Sequence, residues 1–504
     1  MGGPGNERTL RSLLEAGDGT ATALVVPGGR RWTYAELRET VFEGAERLRE
    51  LGLGRGDRIA SSYPNGAEAV LLFLTAALTG TAAPLNPGYT TEEVRFYLED
   101  TNAAALVVPP GGAEAARQAR GSQTQLLDAS VDERGRLRIE GEARARRDEP
   151  APGADDVCLI LHTSGTTSRP KRVPLRQRNL AASVANVVAG YRLGPEDVSL
   201  CVMPLFHVHG IVASLLSTLA SGGTVVAPPG GFNALRFWPL VEEERVTWFT
   251  AVPTMHQMLL RRADGQGRPG TASTLRFARS CSSALAPAVE TQLSDLYGVP
   301  VLQAYGMTEA SHQMTSNPLP PGERRPGTVG LGTGVEVSVV DPAWRHLAPG
   351  EQGEIVVRGP NVVDGYESNP EANATSFRDG WFRTGDSGVL DSGGYLTIVG
   401  RLKEMILRGG ENIAPTEIDE ILLRHPAVAE AVSFGEPDMM LGEVPVAAIV
   451  LKEEVSDRDL LRHCRASLAP AKVPVRFYRT EQIPRTATGK IQRRAVAAAF
   501  AEPT

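Results

Sequence analysis

The chain of 504 residues carries 52 Lys and Arg against 59 Asp and Glu, a formal net charge of -7. That balance excludes a nucleic-acid binder, which needs a basic face, and obliges any polyanionic substrate to find its cations locally. With 42% hydrophobic and 22% charged residues the composition is that of a folded globular protein, and at about 100–200 residues per domain the length predicts more than one domain. Four scattered cysteines, Cys158, Cys201, Cys281 and Cys464, have no metal-ligand spacing and read as reduced thiols of a cytoplasmic protein. The start is polar and glycine-rich, unlike a secretory signal, and residues 501–504 carry no peroxisomal address.

In chain order, residues 23–26 read as a short strand. Thr33 then caps a helix whose apolar positions Leu37, Val41 and Ala45 recur every four residues. Residues 69–78 form an apolar helix and 104–108 a buried strand. Residues 211–220 are the most apolar helical stretch, too short and too serine-rich to cross a bilayer. Turn-rich breaks fall at 109–112, 228–231, 264–273 and 318–327. Alternating strands and helices predict an α/β architecture. The clearest boundary follows Gly400, dividing 1–400 from a small α+β unit over 401–504. There Pro415 and Thr416 open a helix with Ile418, Ile421 and Leu422 on one face. Strands follow at 431–434 and 444–451, then a helix bearing Leu460, Leu461, Cys464 and Leu468.

One segment carries chemistry on its own terms. The apolar run 157–161 leads into His162-Thr163-Ser164-Gly165-Thr166-Thr167-Ser168-Arg169-Pro170-Lys171. Hydroxyls and loop amides donate to phosphate oxygens, glycine lets the backbone approach, and Lys171, Arg169 and Arg172 add charge. The spacing is not that of the common nucleotidase loop, and taken alone such a segment also describes a Ser/Thr-rich surface turn.

Four further motifs follow in order: Tyr305-Gly306-Met307-Thr308-Glu309, Trp381-Phe382-Arg383-Thr384-Gly385-Asp386, Gly400-Arg401-Leu402-Lys403-Glu404 and Pro484-Arg485-Thr486-Ala487-Thr488-Gly489-Lys490. The set resembles the adenylate-forming family of acyl-CoA synthetases, luciferases and peptide-synthetase adenylation domains, over nearly the whole chain. The resemblance implies a large N-terminal multi-sheet α/β domain with a small, mobile α+β C-terminal lid. It implies ATP, Mg2+ and coenzyme A as cofactors and a carboxylic acid as substrate. Two departures stand out: Ser168 and Arg172 occupy positions where many members have glycine, which implies a stiffer, more basic loop.

The resemblance also implies roles. Lys490 bridges the carboxylate and the α-phosphate. Glu309 holds magnesium, Thr308 bonds the α-phosphate, and Tyr305 with Gly306 lies against the adenine. Thr163, Ser164, Gly165, Thr166, Thr167 and Lys171 cradle the phosphates, with Ser283 and Ala284 also on the nucleotide. Asp386, an acceptor-only group, and Arg401 take the ribose hydroxyls. Lys403 is the hinge of a lid used in two orientations, and Arg408-Gly409-Gly410 faces the thioester-forming step.

For the acid, Pro204-Leu205-Phe206-His207-Val208-His209-Gly210 matches the segment lining the acyl site. His207, Ser282 and His312 are donors that suit a second carboxylate better than an alkyl tail. Several segments, among them Arg279-Ser280-Cys281-Ser282 and Gly489-Lys490-Ile491-Gln492-Arg493-Arg494, resemble the oxalate–CoA ligase branch. Oxalate is therefore the expected acid, with His207 counted among the catalytic groups. Malonate is the alternative, disfavoured because its ligases carry arginine where this chain has Met258. Medium-chain or aromatic acids, an amino-acid-adenylating unit and a non-catalytic nucleotide sensor are further alternatives; intact Lys490, Glu309 and Asp386 speak against the last. Oligomeric state is not readable.

Overall fold

The computed structural model describes residues 9–163, 170–266, 274–409, 411–486 and 491–500. Thr33 closes a capping box on the helix Tyr34–Glu50, its hydroxyl accepting from the Glu36 amide while the Glu36 carboxylate accepts from the Thr33 amide. Leu37, Val41 and Ala45 of that helix are buried. They face the helix Ala67–Thr79, which is apolar all round and buried on nearly every side.

Continuous apolar runs become parallel strands covered on both faces. A seven-stranded sheet ends with β1 (Val157–His162) and its antiparallel neighbour β2 (Arg172–Arg176). A nine-stranded sheet contains four adjacent strands that matter below: β3 (Trp248–Ala251), β4 (Phe277–Ser280), β5 (Val301–Met307) and β6 (His312–Ser316). The first three run parallel, and β6 turns back antiparallel to β5. A third sheet of five strands holds β7 (Trp381–Leu390) paired with β8 (Leu396–Arg401). The short turn Leu402–Glu404 then leads into a smaller unit with its own sheet, the helices Pro415–Leu423 and Asp457–Arg465, and its own core of Ile406, Ile418, Leu422, Ile449, Leu460 and Cys464.

The expected strands and helices form, most with bounds shifted by one or two residues; the strand expected at 431–434 runs over Val428–Asp438, and Leu468 lies beyond the helix Asp457–Arg465. One expectation fails in part. The break at 264–273 does not begin there, because the helix Pro253–Gln266 runs through Asp264 and Gly265; each residue added to an existing helix gains a hydrogen bond, so one glycine does not stop it. Residues 267–273 lie outside the described ones. All four cysteines are buried and free of disulfides. Among the described residues no helix is long and apolar enough to cross a membrane.

The smaller unit is tied together near its end by Arg493. Its guanidinium meets Asp419 at 2.8 Å and Glu404 at 3.4 Å, and also bonds the Ser433 carbonyl. Glu404 belongs to the turn between the units, so one side chain joins the C-terminal helix to that turn. Removing one partner strands the other's buried charge, so Arg493→Met is expected to lower stability by about 3 kcal/mol. Urea denaturation of the full chain tests this: the midpoint falls, and adding Asp419→Asn restores part of the loss.

Candidate active site

The nucleotide motifs converge where β5 and β8 end beside the middle of β7. Tyr305, on β5, donates its hydroxyl to Asp386 on β7. Arg401, the last residue of β8, meets the other oxygen of Asp386 at 3.0 Å. Three residues from three motifs thus share one carboxylate. Tyr305 is buried beside this anion, and both facts hold its phenol well above the ordinary tyrosine range.

Immediately after β5 the tight turn Thr308–Ala310 presents Thr308 and Glu309, both buried. The Tyr366 hydroxyl donates to Glu309 Oε1 at 2.8 Å. The Lys171 ammonium sits over the ring of that tyrosine, 4.4 Å from its centroid. Burial pulls the Lys171 pKa below the lysine range, with Glu309 pushing it up and Lys403 pushing it down. Lys403 therefore lies within electrostatic reach of Lys171. Gly306 has a steric reason to be glycine: a Cβ there would stand 2.0 Å from the His312 carbonyl oxygen.

At the phosphate loop, the Thr163 amide donates to the Lys171 carbonyl at 3.0 Å and closes the loop's base between β1 and β2. Ser164, Gly165, Thr166, Thr167, Ser168 and Arg169 lie outside the described residues, as do Lys490 and Gly410. Arg172 does not add free charge to the loop as expected. Its guanidinium is drawn to Asp100, which also meets His162 at 2.8 Å.

The acyl side is built on the four adjacent strands, and its centre is a residue the sequence reading left without a role. Arg279, on β4, is fully buried. Its Nε donates to the Tyr191 hydroxyl at 2.7 Å. Nη1 donates to Thr250 Oγ1 on β3 at 2.9 Å and approaches His209 Nε2 at 3.3 Å. Nη2 approaches His312 Nε2 at 2.9 Å and Gln313 Oε1 at 3.0 Å, both on β6. No carboxylate among the described residues pairs with it. His209 also contacts Thr250 Oγ1 at 2.6 Å and Ser282 Oγ at 3.1 Å, and its ring stacks on His312 with centroids 5.0 Å apart. Burial first, then the Arg279 charge and His207, hold both imidazoles well below the ordinary histidine pKa. Two of the three expected donors, Ser282 and His312, thus meet through His209, and His207 stands close enough to both rings to disfavour their charging.

The backbone here is strained: Ser282 has φ +76°, Ser311 +51° and His312 +104°. His209 opens a stretch, His209–Leu216, that winds as a π-helix, a geometry common at functional sites. Ser283 and Ala284 are exposed in the turn after β4. Arg408 and Gly409 are not brought to either end of this site: Arg408 pairs with Gly442 in the smaller unit's sheet, and the Gly409 amide donates to the Leu441 carbonyl at 2.7 Å. Tyr366 lies in none of the motifs above, and His209 and Arg279 have no individual role in them. A charged side chain inside the apolar strand Phe277–Ser280 was the available signal for the last, since arginine is almost never fully buried without a task.

The model of the AMP-binding enzymes matches residues 15–367, and that of the AMP-binding enzyme C-terminal domain matches 417–490. The chain is 45% identical to an oxalate–CoA ligase of Arabidopsis thaliana, over 95% of this chain and 96% of that one. It is 44% identical to the oxalate–CoA ligase of Saccharomyces cerevisiae, over 89% and 88%. Its fold superimposes on ATP-bound MatB from Rhodopseudomonas palustris with a TM-score of 0.87 and 31% identity, over 98% and 99%. The chain belongs to the AMP-binding enzyme family.

Three buried histidines with lowered pKa make stability pH-dependent. His256, bonded to Tyr297 and the Arg279 carbonyl, is pushed by burial from 6.5 down to about 4, and His209 and His312 are lowered as well. The folded chain refuses protons that the unfolded chain accepts, so this stability is complete above pH 6.5 and is lost as pH falls towards the folded values. His256→Gln is expected to flatten the loss by up to about 1.4 kcal/mol per pH unit. Urea midpoints of both chains between pH 7 and about 4.5 measure it; parallel curves refute it.

Proposed function

We propose that this AMP-binding enzyme is an ATP-dependent acid–CoA ligase whose acid is oxalate. In the first step a carboxylate oxygen bonds to the α-phosphorus of ATP while the bond to pyrophosphate breaks. In the second the coenzyme A thiol attacks the activated carbonyl, its proton goes to solvent, and AMP leaves. Both partners of the first step are anions, so the protein's task is alignment and charge neutralisation.

In this reading Asp386 takes the ribose hydroxyls. Tyr305 and Arg401 hold it aimed, and Gly306, Ser283 and Ala284 border the adenine. Thr163, Ser164, Gly165, Thr166, Thr167 and Lys171 grip the departing pyrophosphate. Thr308 donates to the α-phosphate and Lys490 bridges the two reacting anions. Glu309 suits magnesium: one oxygen is held by Tyr366, the other is left for a hard cation, and phosphate oxygens complete its shell. Magnesium, when bound, neutralises charge that develops on the phosphates. The chain divides near residue 400 into a large unit and a lid hinged at Lys403. In this reading a turn about the hinge brings Arg408 and Gly409, which pair within the smaller unit, to the pantetheine arm. The four buried thiols support a reducing, cytoplasmic setting.

The observation that carries the choice of acid is the wall around Arg279. A fatty acyl chain wants apolar walls, whereas this one offers a buried cation behind neutral hydrogen-bonding groups. Such a wall suits a second carboxylate bonded directly to the reacting one. The two relatives that act on oxalate, at 45% and 44% identity, point the same way.

A panel of acids with ATP, magnesium and coenzyme A, followed by AMP release, tests the reading. Oxalate is expected to give the highest kcat/KM; a fatty or aromatic acid winning by a wide margin would remove oxalate and leave adenylation standing. His312→Ala is expected to raise the KM for oxalate about 30-fold or more, leaving the KM for ATP within about twofold. Lys403→Pro is expected to spare adenylation, measured by pyrophosphate exchange, and to depress thioester formation; equal loss in both assays removes the hinge role.

A further inference from the structure

A guanidinium has five N–H donors and no acceptor. The guanidinium nitrogens of Arg279 meet the Tyr191 hydroxyl, Thr250 Oγ1, His209 Nε2, His312 Nε2 and Gln313 Oε1, with the Cys281 side chain a further neighbour. His209 Nε2 also lies 2.6 Å from Thr250 Oγ1, which itself accepts from Nη1. An arginine N–H can only donate, and that bears on where the histidine protons are. A ring nitrogen facing an arginine N–H must offer its lone pair, so His209 Nε2 and His312 Nε2 carry no hydrogen. Each neutral ring must then keep its proton on Nδ1. For His209 that proton is directed at Ser282 Oγ, 3.1 Å away. Ser282 accepts it, and its own hydroxyl hydrogen is free to be donated onward.

His256 gives the contrast within the same fold. Its Nε2 faces the Arg279 backbone carbonyl at 3.1 Å and so must be the donor, while its Nδ1 accepts from the Tyr297 hydroxyl at 3.0 Å. Its proton therefore sits on the opposite nitrogen. The tautomers of His209 and His312 are set by the guanidinium and not by a general preference of buried rings.

We propose that Arg279 is the positioning residue of the acid-binding wall: by holding Nε2 of His209 and of His312 bare, it fixes both rings as Nδ1–H tautomers, so that His312 and, through His209, Ser282 present donors to the free carboxylate of the substrate. The guanidinium balances that carboxylate from one layer behind. This arrangement explains why a buried cation is kept without an acidic partner among the described residues: the anion arrives with the substrate. It also makes the wall selective. A monocarboxylic acid of the same size would leave the donors unpaired and the buried charge unanswered. The part about the substrate rests on the oxalate reading; the part about the tautomers does not.

Two measurements test it. The chain has 8 histidines, so long-range proton–nitrogen correlation of the 15N-histidine-labelled protein resolves each ring, with His209→Asn and His312→Asn as assignments. The wild type is expected to show Nδ1–H at His209 and His312 and Nε2–H at His256. Arg279→Met is expected to lose the Nδ1–H pattern in at least one of the first two rings and to keep it unchanged in His256. In kinetics, Arg279→Met is expected to raise the KM for oxalate about 30-fold or more with the KM for ATP within about twofold, and Arg279→Lys to recover part of the loss. A wild-type ring with Nε2–H at either His209 or His312 overturns the proposal, and that spectrum decides even if Arg279→Met does not fold. Unchanged tautomers and oxalate KM in a folded Arg279→Met also overturn it. If the tautomers are as expected but the acid panel selects an acid other than oxalate, the oxalate reading falls and the assignment of Arg279 stands.

Discussion

Burying a guanidinium without a carboxylate is costly, and the architecture around Arg279 is organised by that cost. A cation removed from water needs every donor answered. Arg279 meets this with acceptors drawn from β3, from β6, from the end of the helix Gln177–Tyr191 and from the first turn of His209–Leu216. None of these acceptors is charged, so the site keeps a net positive potential. The same contacts pin the register of β3 against β4, where Thr250 stands opposite Arg279, and the strained entry into β6 at His312. One side chain thereby ties together the elements from which the acid-binding wall is made.

The proposed nucleotide end is built differently. There charges of both signs meet, Asp386 oriented by Tyr305 and Arg401, and Glu309 by Tyr366, over whose ring Lys171 sits. The two ends are joined by very few residues. β5 ends in Tyr305-Gly306-Met307, the turn Thr308–Ala310 carries the groups proposed for phosphate and cation, and β6 begins with His312. Gly306 lets these strands approach where any side chain would meet the His312 carbonyl. In the proposed reading a shift in that short connection would move both ends of the site together, which makes pre-alignment a property of the backbone.

Much was legible in the amino-acid order alone. Apolar runs, a Thr-x-x-Glu cap and the Pro415 helix start identify the strands and helices of an α/β chain with a smaller α+β end, because these signals act within a few residues. Five motifs in order marked adenylation chemistry, and the polar character of His207, Ser282 and His312 pointed to a small diacid. What the order alone could not supply was how those groups are wired. Ser282 and His312 do not simply line a pocket: they are set by His209 and Arg279, which stand 70 residues apart in sequence. Likewise Arg172, which reads as charge for the phosphate loop, is drawn to Asp100, 72 residues before it.

The physical reason for the division is range. Helix caps, strand alternation and hydroxyl-rich turns are determined by neighbours, so the sequence by itself determined the elements, the family and the class of reaction. Hydrogen-bond direction, tautomer and charge compensation depend on which atoms the folded sheets bring within about 3 Å of each other. The folded sheets alone bury Arg279 among neutral acceptors, set His209 and His312 against its guanidinium, and hold Asp386 and Glu309 by tyrosines.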